Sequence, residues 1–128
     1  MLIRFVAPLP EEPFRWTGVF QVAWCLRDDG RLADYEEEWF AGTLAWFNRE
    51  LAVPHRLSRS RRAGAKARAV CWFKSSAARY IGKVRELTAL LEQHGIPSTM
   101  LRTARPGYIV YEDAAQVAAL PFRDTVSP

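Results

Sequence analysis

Apolar positions along this 128-residue chain follow two rhythms. Residues 2–7 and 18–27 are dense in β-branched and aromatic side chains, which predicts strands. The second stretch runs Gly18-Val19-Phe20-Gln21-Val22-Ala23-Trp24-Cys25-Leu26-Arg27, and Asp28-Asp29-Gly30 is the turn that ends it. Pro8, Pro10 and Pro13 punctuate the loop between the two. Over residues 32–51 the rhythm becomes helical: Tyr35, Trp39, Phe40, Leu44, Phe47 and Leu51 form an apolar stripe. Asp34, Glu36, Glu37 and Glu38 occupy its first turns, where the helix dipole favours negative charge, and Pro54 marks the stop.

The second half repeats the alternation. Residues 69–73 predict a short buried strand, and residues 75–94 a helix with the stripe Tyr80, Ile81, Val84, Leu87 and Leu91. Ser75 or Ser76 supplies its N-cap, and Gly95 followed by Pro97 its end. Residues 98–103, 108–112 and 116–120 read as strands, with Arg105-Pro106-Gly107 as a hairpin turn between the first two. The expected order is β-β-α-β-α-β-β-β. A helix with one apolar stripe needs a sheet or another helix to cover it. The expected fold is therefore α+β: a two-layer sandwich with two amphipathic helices on one face of a mostly antiparallel sheet. The segment 69–103 suits a right-handed parallel crossover. With no internal repeat and no change of composition class, one domain over 1–128 is expected, with 55–68 a flexible loop and 121–128 a frayed tail.

Composition supports a packed core, since 49% of residues are apolar and 12% aromatic. No run of 18 apolar residues is present, and residues 1–12 lack the apolar region of a secretory signal, so a cytoplasmic protein with no membrane partner is expected. Cys25 and Cys71 both sit in apolar runs and read as small buried hydrophobes rather than a disulfide.

Charge changes the picture more. Residues 1–50 hold nine acids and five bases, and residues 86–128 hold five acids and three bases. Residues 51–85 hold ten bases and no acid. Such a stretch suits phosphates or an acidic protein partner, against the plainer reading of a solvated loop pairing with the acids of 34–38. Within it, Arg56, Arg59, Arg61, Arg62, Lys66 and Arg68 form an arginine-rich arm. Lys74, Ser75, Ser76 and Arg79 gather where a strand meets a helix start, where unpaired N–H groups favour an anion, and Lys83 follows one turn on. Arg79 in a first turn opposes the dipole, a conflict that a bound phosphate relieves.

Catalytic and metal patterns are missing. His55 and His94 stand apart, no serine sits in a Gly-x-Ser-x-Gly elbow, and the seven glycines are scattered. Glu112-Asp113 and Asp28-Asp29 read as turn chemistry rather than metal ligands. No catalytic residue, metal or cofactor is assigned. The expected function is a non-catalytic nucleic-acid-binding accessory domain using 51–85. The alternative is a protein-interaction module, an accessory or inhibitor subunit, whose partner is steered by charge and anchored by the Trp-Phe pairs at 39–40, 46–47 and 72–73. Full burial of Trp39 and Trp46 would remove that anchor.

The run Cys71-Trp72-Phe73-Lys74, the helix ending His94-Gly95, and Arg102-Thr103 followed by Pro106-Gly107-Tyr108-Ile109-Val110-Tyr111-Glu112-Asp113 and Gln116-Val117 resemble a family of small bacterial proteins. The resemblance reaches back to Trp46-Phe47-Asn48 and Pro54. It implies a bacterial or phage source and brings no activity and no site residue with it.

Overall fold

The computed structural model describes residues 1–53, 69–123 and 125. Among them the fold is an α+β sandwich of three helices and a six-stranded antiparallel sheet. The elements are β1 (Leu2–Pro8), β2 (Trp16–Gly18), α1 (Val19–Asp28), α2 (Asp34–Glu50), β3 (Val70–Lys74), α3 (Ala78–Gln93), β4 (Thr99–Thr103), β5 (Tyr108–Glu112) and β6 (Gln116–Leu120). Strands pair in the order β2-β1-β3-β6-β5, with β4 also on β1. The chain divides into two compact units, neither of them a continuous stretch.

The first unit comprises residues 1–4, 52–81 and 101–127. Here the start of β1 pairs with β3 (Leu2 with Lys74, Ile3 with Phe73), and β3 pairs with β6 from Val70–Ala119 to Phe73–Gln116. β6 lies between β3 and β5, and all five of its residues are buried, so it reads as a continuous apolar run. Its one polar member, Gln116, is satisfied: Nε2 donates to the Ala52 carbonyl at 2.7 Å and to Asp113 Oδ2 at 3.1 Å. Asp113 builds the β5–β6 turn. Its Oδ1 accepts the N–H groups of Ala115 (2.8 Å) and Gln116 (2.9 Å), and its Oδ2 accepts the Tyr111 hydroxyl (2.8 Å). Burial pushes the Asp113 carboxyl up, but these donors outweigh it and hold it below its ordinary value. The expectation of turn chemistry at Glu112-Asp113 describes this hairpin.

The second unit comprises residues 5–51 and 82–100, with residue 128. The end of β1 pairs with β2, from Val6–Gly18 to Pro8–Trp16. The strand expected over 18–27 is instead helix α1, and only Trp16–Gly18 is extended. Val19, Val22, Ala23 and Leu26 are its buried residues, at spacings of three, one and three. Burying that face outweighs the strand preference of the β-branched and aromatic residues. Asp28-Asp29-Gly30 is a turn, as expected, but one that ends a helix. Gly30 (φ +70°) donates to the Arg27 carbonyl at 3.0 Å and Arg31 to the Leu26 carbonyl at 2.9 Å. α3 ends in the same way on the carbonyls of Glu92 and Leu91.

Three further expectations change. Among the described residues there are three helices rather than two. The Pro106-Gly107 hairpin does not form, because β4 pairs with β1 while β5 pairs with β6. Of the two cysteines, Cys25 is half-buried and Cys71 exposed, and both are free thiols. Among the described residues, no helix is long and apolar enough to cross a membrane.

Candidate interaction site

The buried face of α2 is not the expected stripe. Glu36, Phe40, Thr43 and Phe47 are buried, at spacings of four, three and four. Tyr35 is 72% exposed and Trp39 half-buried, so the helix is turned by about one residue from the aromatic stripe. Two partners hold Glu36 on the buried face. The Ala33 N–H donates to its Oε1 at 2.9 Å, closing the first turn. Nε2 of His94, the residue after α3, lies 2.9 Å from Oε2 and 3.1 Å from Oε1. A carboxylate only accepts, so Nε2 carries the proton. The Ala33 N–H is the largest influence on Glu36, and with His94 it outweighs burial and holds the carboxyl below its ordinary value.

That rotation opens a groove between α2 and α3 within the second unit. Tyr35, Glu36 and Trp39 line one wall, and Glu86, Ala89, Leu90 and Gln93 the other, around a cavity of about 350 Å³. Tyr35 and Trp39 are four residues apart, and the α3 residues fall at i, i+3, i+4 and i+7, so each wall is one helix face. Among the described residues its lining has two carboxylates and no base. The neighbouring Lys83 lies 3.6 Å from Glu86, and its ammonium is 5.3 Å from the centre of the Trp46 ring. Trp46, like Trp39, is half-buried, which leaves the aromatic-anchor expectation standing.

Glu36 also couples the second unit to acid. Its lowered carboxyl contributes stability that is present above the ordinary value of 4.5 and is lost as pH falls through the folded value. Glu36→Gln is expected to flatten the acid limb of a stability–pH profile below about 4.5, as read from urea melts between pH 3 and 6. An unchanged limb would contradict a Glu36 carboxyl lowered by Ala33 and His94. The lowered carboxyl of Asp113 acts on the same limb and survives in the variant.

The expected phosphate site looks different in the first unit. Lys74 closes β3, and its Nζ lies 2.7 Å from Glu112 Oε2. Ser75 and Ser76 are exposed in a turn that precedes the helix, where Ser75 N–H donates to the Met1 carbonyl at 3.1 Å. α3 starts at Ala78, so neither serine is its N-cap. Ala77, buried, holds that position without a side-chain acceptor. The Arg79 guanidinium lies 5.9 Å from the centre of the Tyr80 ring. The arm residues Arg56, Arg59, Arg61, Arg62, Lys66 and Arg68 lie outside the described residues.

Nucleophile chemistry gains nothing here. Although Cys71 is exposed as a residue, desolvation by the surrounding protein pushes its thiol above the ordinary range despite the Arg4 charge beside it, and a protonated thiol is a poor nucleophile. Among the described residues, no group of three His, Cys, Asp or Glu side chains could hold a metal. The Glu36–His94 pair was hidden in the sequence by a separation of 58 residues. The groove left one sign: Glu36 continues the spacing of Phe40, Thr43 and Phe47, with Tyr35 and Trp39 off to one side. No protein-family model, no curated protein and no solved structure matches this chain.

Proposed function

We propose that the protein is a non-catalytic interaction module that docks a partner protein in the α2–α3 groove. The observation that carries this is the pair Tyr35 and Trp39, an exposed and a half-buried aromatic turned off the buried face of α2 into a cavity of about 350 Å³. Aromatic side chains that keep open faces are the residues that most often anchor protein contacts. We take the bacterial cytoplasm as the compartment, in keeping with the sequence resemblance and the two free thiols. A photo-cross-linking residue at position 35, in cells of the native host, is expected to give a discrete adduct that Glu86→Lys removes. Position 86 lies across the groove, and the Glu86 side chain is 54% exposed, so the change spares the core. No adduct from position 35, or one indifferent to Glu86→Lys, would refute groove docking.

A second reading, nucleic-acid binding, is favoured by the ten bases and no acid of 51–85. Two of those ten, Lys74 and Lys83, already face Glu112 and Glu86, so this reading leans on the arginine arm. Fluorescence anisotropy with labelled DNA and RNA, titrated from low salt, is expected to show a log–log slope of several units, about 0.9 for each duplex phosphate neutralised. The double variant Arg61→Glu/Arg62→Glu is expected to lower affinity for every sequence and shrink that slope. Equal binding by the variant would exclude the arm.

A further inference from the structure

The groove's electrostatics narrow what it accepts. Among the described residues Glu36 and Glu86 are its only charged lining residues, and Asp34, Glu37 and Glu38 add to the negative potential from the same turns of α2. The helix ends agree. The positive N-terminal end of α2 is countered by its own acids. The last turns of α3, which contribute Leu90 and Gln93 to the groove, are the negative end of that helix and carry no base. An anion would meet repulsion here, whereas a cation would find the Glu86 carboxylate, shared with Lys83 at 3.6 Å, and a helix C-terminus; Glu36 is already held by Ala33 and His94.

The aromatic rings point the same way. Elsewhere in the second unit the chain's own cations sit over its rings: Arg27 at 4.0 Å from the Trp24 centroid, Lys83 at 5.3 Å from Trp46 and Arg85 at 5.5 Å from Phe5. Among the described residues, no lysine or arginine lies over Tyr35 or Trp39. Both rings line a cavity bordered by carboxylates, the combination that suits organic cations.

We infer that the α2–α3 groove takes a lysine or arginine side chain of the partner protein, with its cation held between Tyr35, Trp39 and the Glu86 carboxylate. Ala89 and Leu90 form the apolar part of the wall, against which the aliphatic stem of such a side chain packs. This rests on the docking reading above and names the chemistry that the groove recognises.

Three fluorescein-labelled decapeptides test it on the full chain: lysine alternating with alanine, arginine alternating with alanine, and norleucine in place of lysine. Anisotropy at low salt reads affinity, and the Trp39 indole N–H signal, assigned with Trp39→Phe, reports the site. Tyr35→Ala and Glu86→Gln remove exposed side chains, so both variants are expected to melt like the parent. The lysine and arginine peptides are expected to bind and shift the Trp39 signal, each variant weakening them by roughly 3- to 10-fold. The norleucine peptide is expected to bind at least about 10-fold more weakly. Norleucine binding as tight as lysine would overturn cation recognition while leaving docking intact. Lysine binding that ignores both variants, or no binding by either cationic peptide, would overturn the inference too, and the cross-link at position 35 then decides separately whether the groove docks a partner.

Discussion

Gly107→Ala is expected to destabilise the protein by about 3 kcal/mol or more, enough to remove a large share of a stability that is about 5–15 kcal/mol for ordinary domains. Two effects combine. Gly107 has φ +123°, a backbone conformation that alanine adopts only under strain. Its Cβ would also fall against the Leu120 carbonyl, 2.6 Å from the carbonyl carbon, and 2.9 Å from Pro121 Cα. These are backbone atoms at the end of β6, and Tyr108, the next residue, is in register with Leu120. Neither strand can give way without breaking β5–β6 pairing. Gly30→Ala is the control: it shares a positive φ (+70°) but has no atom within 4 Å of the added carbon, so it is expected to lose only about 1 kcal/mol. Urea melts of the two variants check this. Equal losses would show that the close approach at Leu120 costs nothing.

Phe40→Ala is expected to cost about 3–5 kcal/mol. Phe40 is fully buried on α2, and its ring meets Trp24 edge-on at 6.0 Å between centroids. Removing it forfeits the buried apolar area, leaves a cavity and breaks an aromatic pair worth about 0.5–1.5 kcal/mol by itself. Phe40→Leu refills most of the volume and is expected to lose only about 1–1.5 kcal/mol. Denaturant midpoints measure both. A loss below about 1.5 kcal/mol for the alanine variant would mean that the core of the second unit collapses into the gap. The neighbouring Trp39, half-buried at the groove, is expected to tolerate Phe with little loss, which separates the core face of α2 from the face that lines the groove.

The contrast between positions 39 and 40 also marks what the sequence could express. Five of the expected strands, α2 and α3 stand close to their predicted bounds, because their periods and stop signals agree. Pro97 and Gly95 close α3, and Asp113 turns β5 into β6. α1 was legible too, in the spacing of Val19, Val22, Ala23 and Leu26, but local strand preference speaks against it and only the burial of that face decides. The Pro-Gly turn is genuine as a local signal, yet which strands pair across it depends on partners distant in sequence. The groove was the least legible feature. It depends on a carboxylate occupying a core-facing position, and a pattern of apolar residues counts that position as a gap in the stripe. The charge of 51–85 was plain from the start, and Glu86, three residues after Lys83 on the expected helix, was legible too, but the Glu112 counter-charge on Lys74 appears only in three dimensions.

The pairing of β1 with β3 bears on how the chain folds as it is made. Leu2 has to wait for Lys74, and β3 in turn lacks its β6 neighbour until Ala119 has been added. At about 5–20 residues per second, the start of the first strand spends roughly 4–14 seconds on the ribosome before β3 exists. α2 draws mainly on neighbouring residues and can form within microseconds of emerging, whereas α1 waits for the face that it buries. Leu2-Ile3, the part of β1 in register with β3, is therefore a nascent apolar segment without that strand partner through more than half of synthesis. It is the natural point for a holding chaperone to engage this chain, and the first place where slowed translation would turn into aggregation.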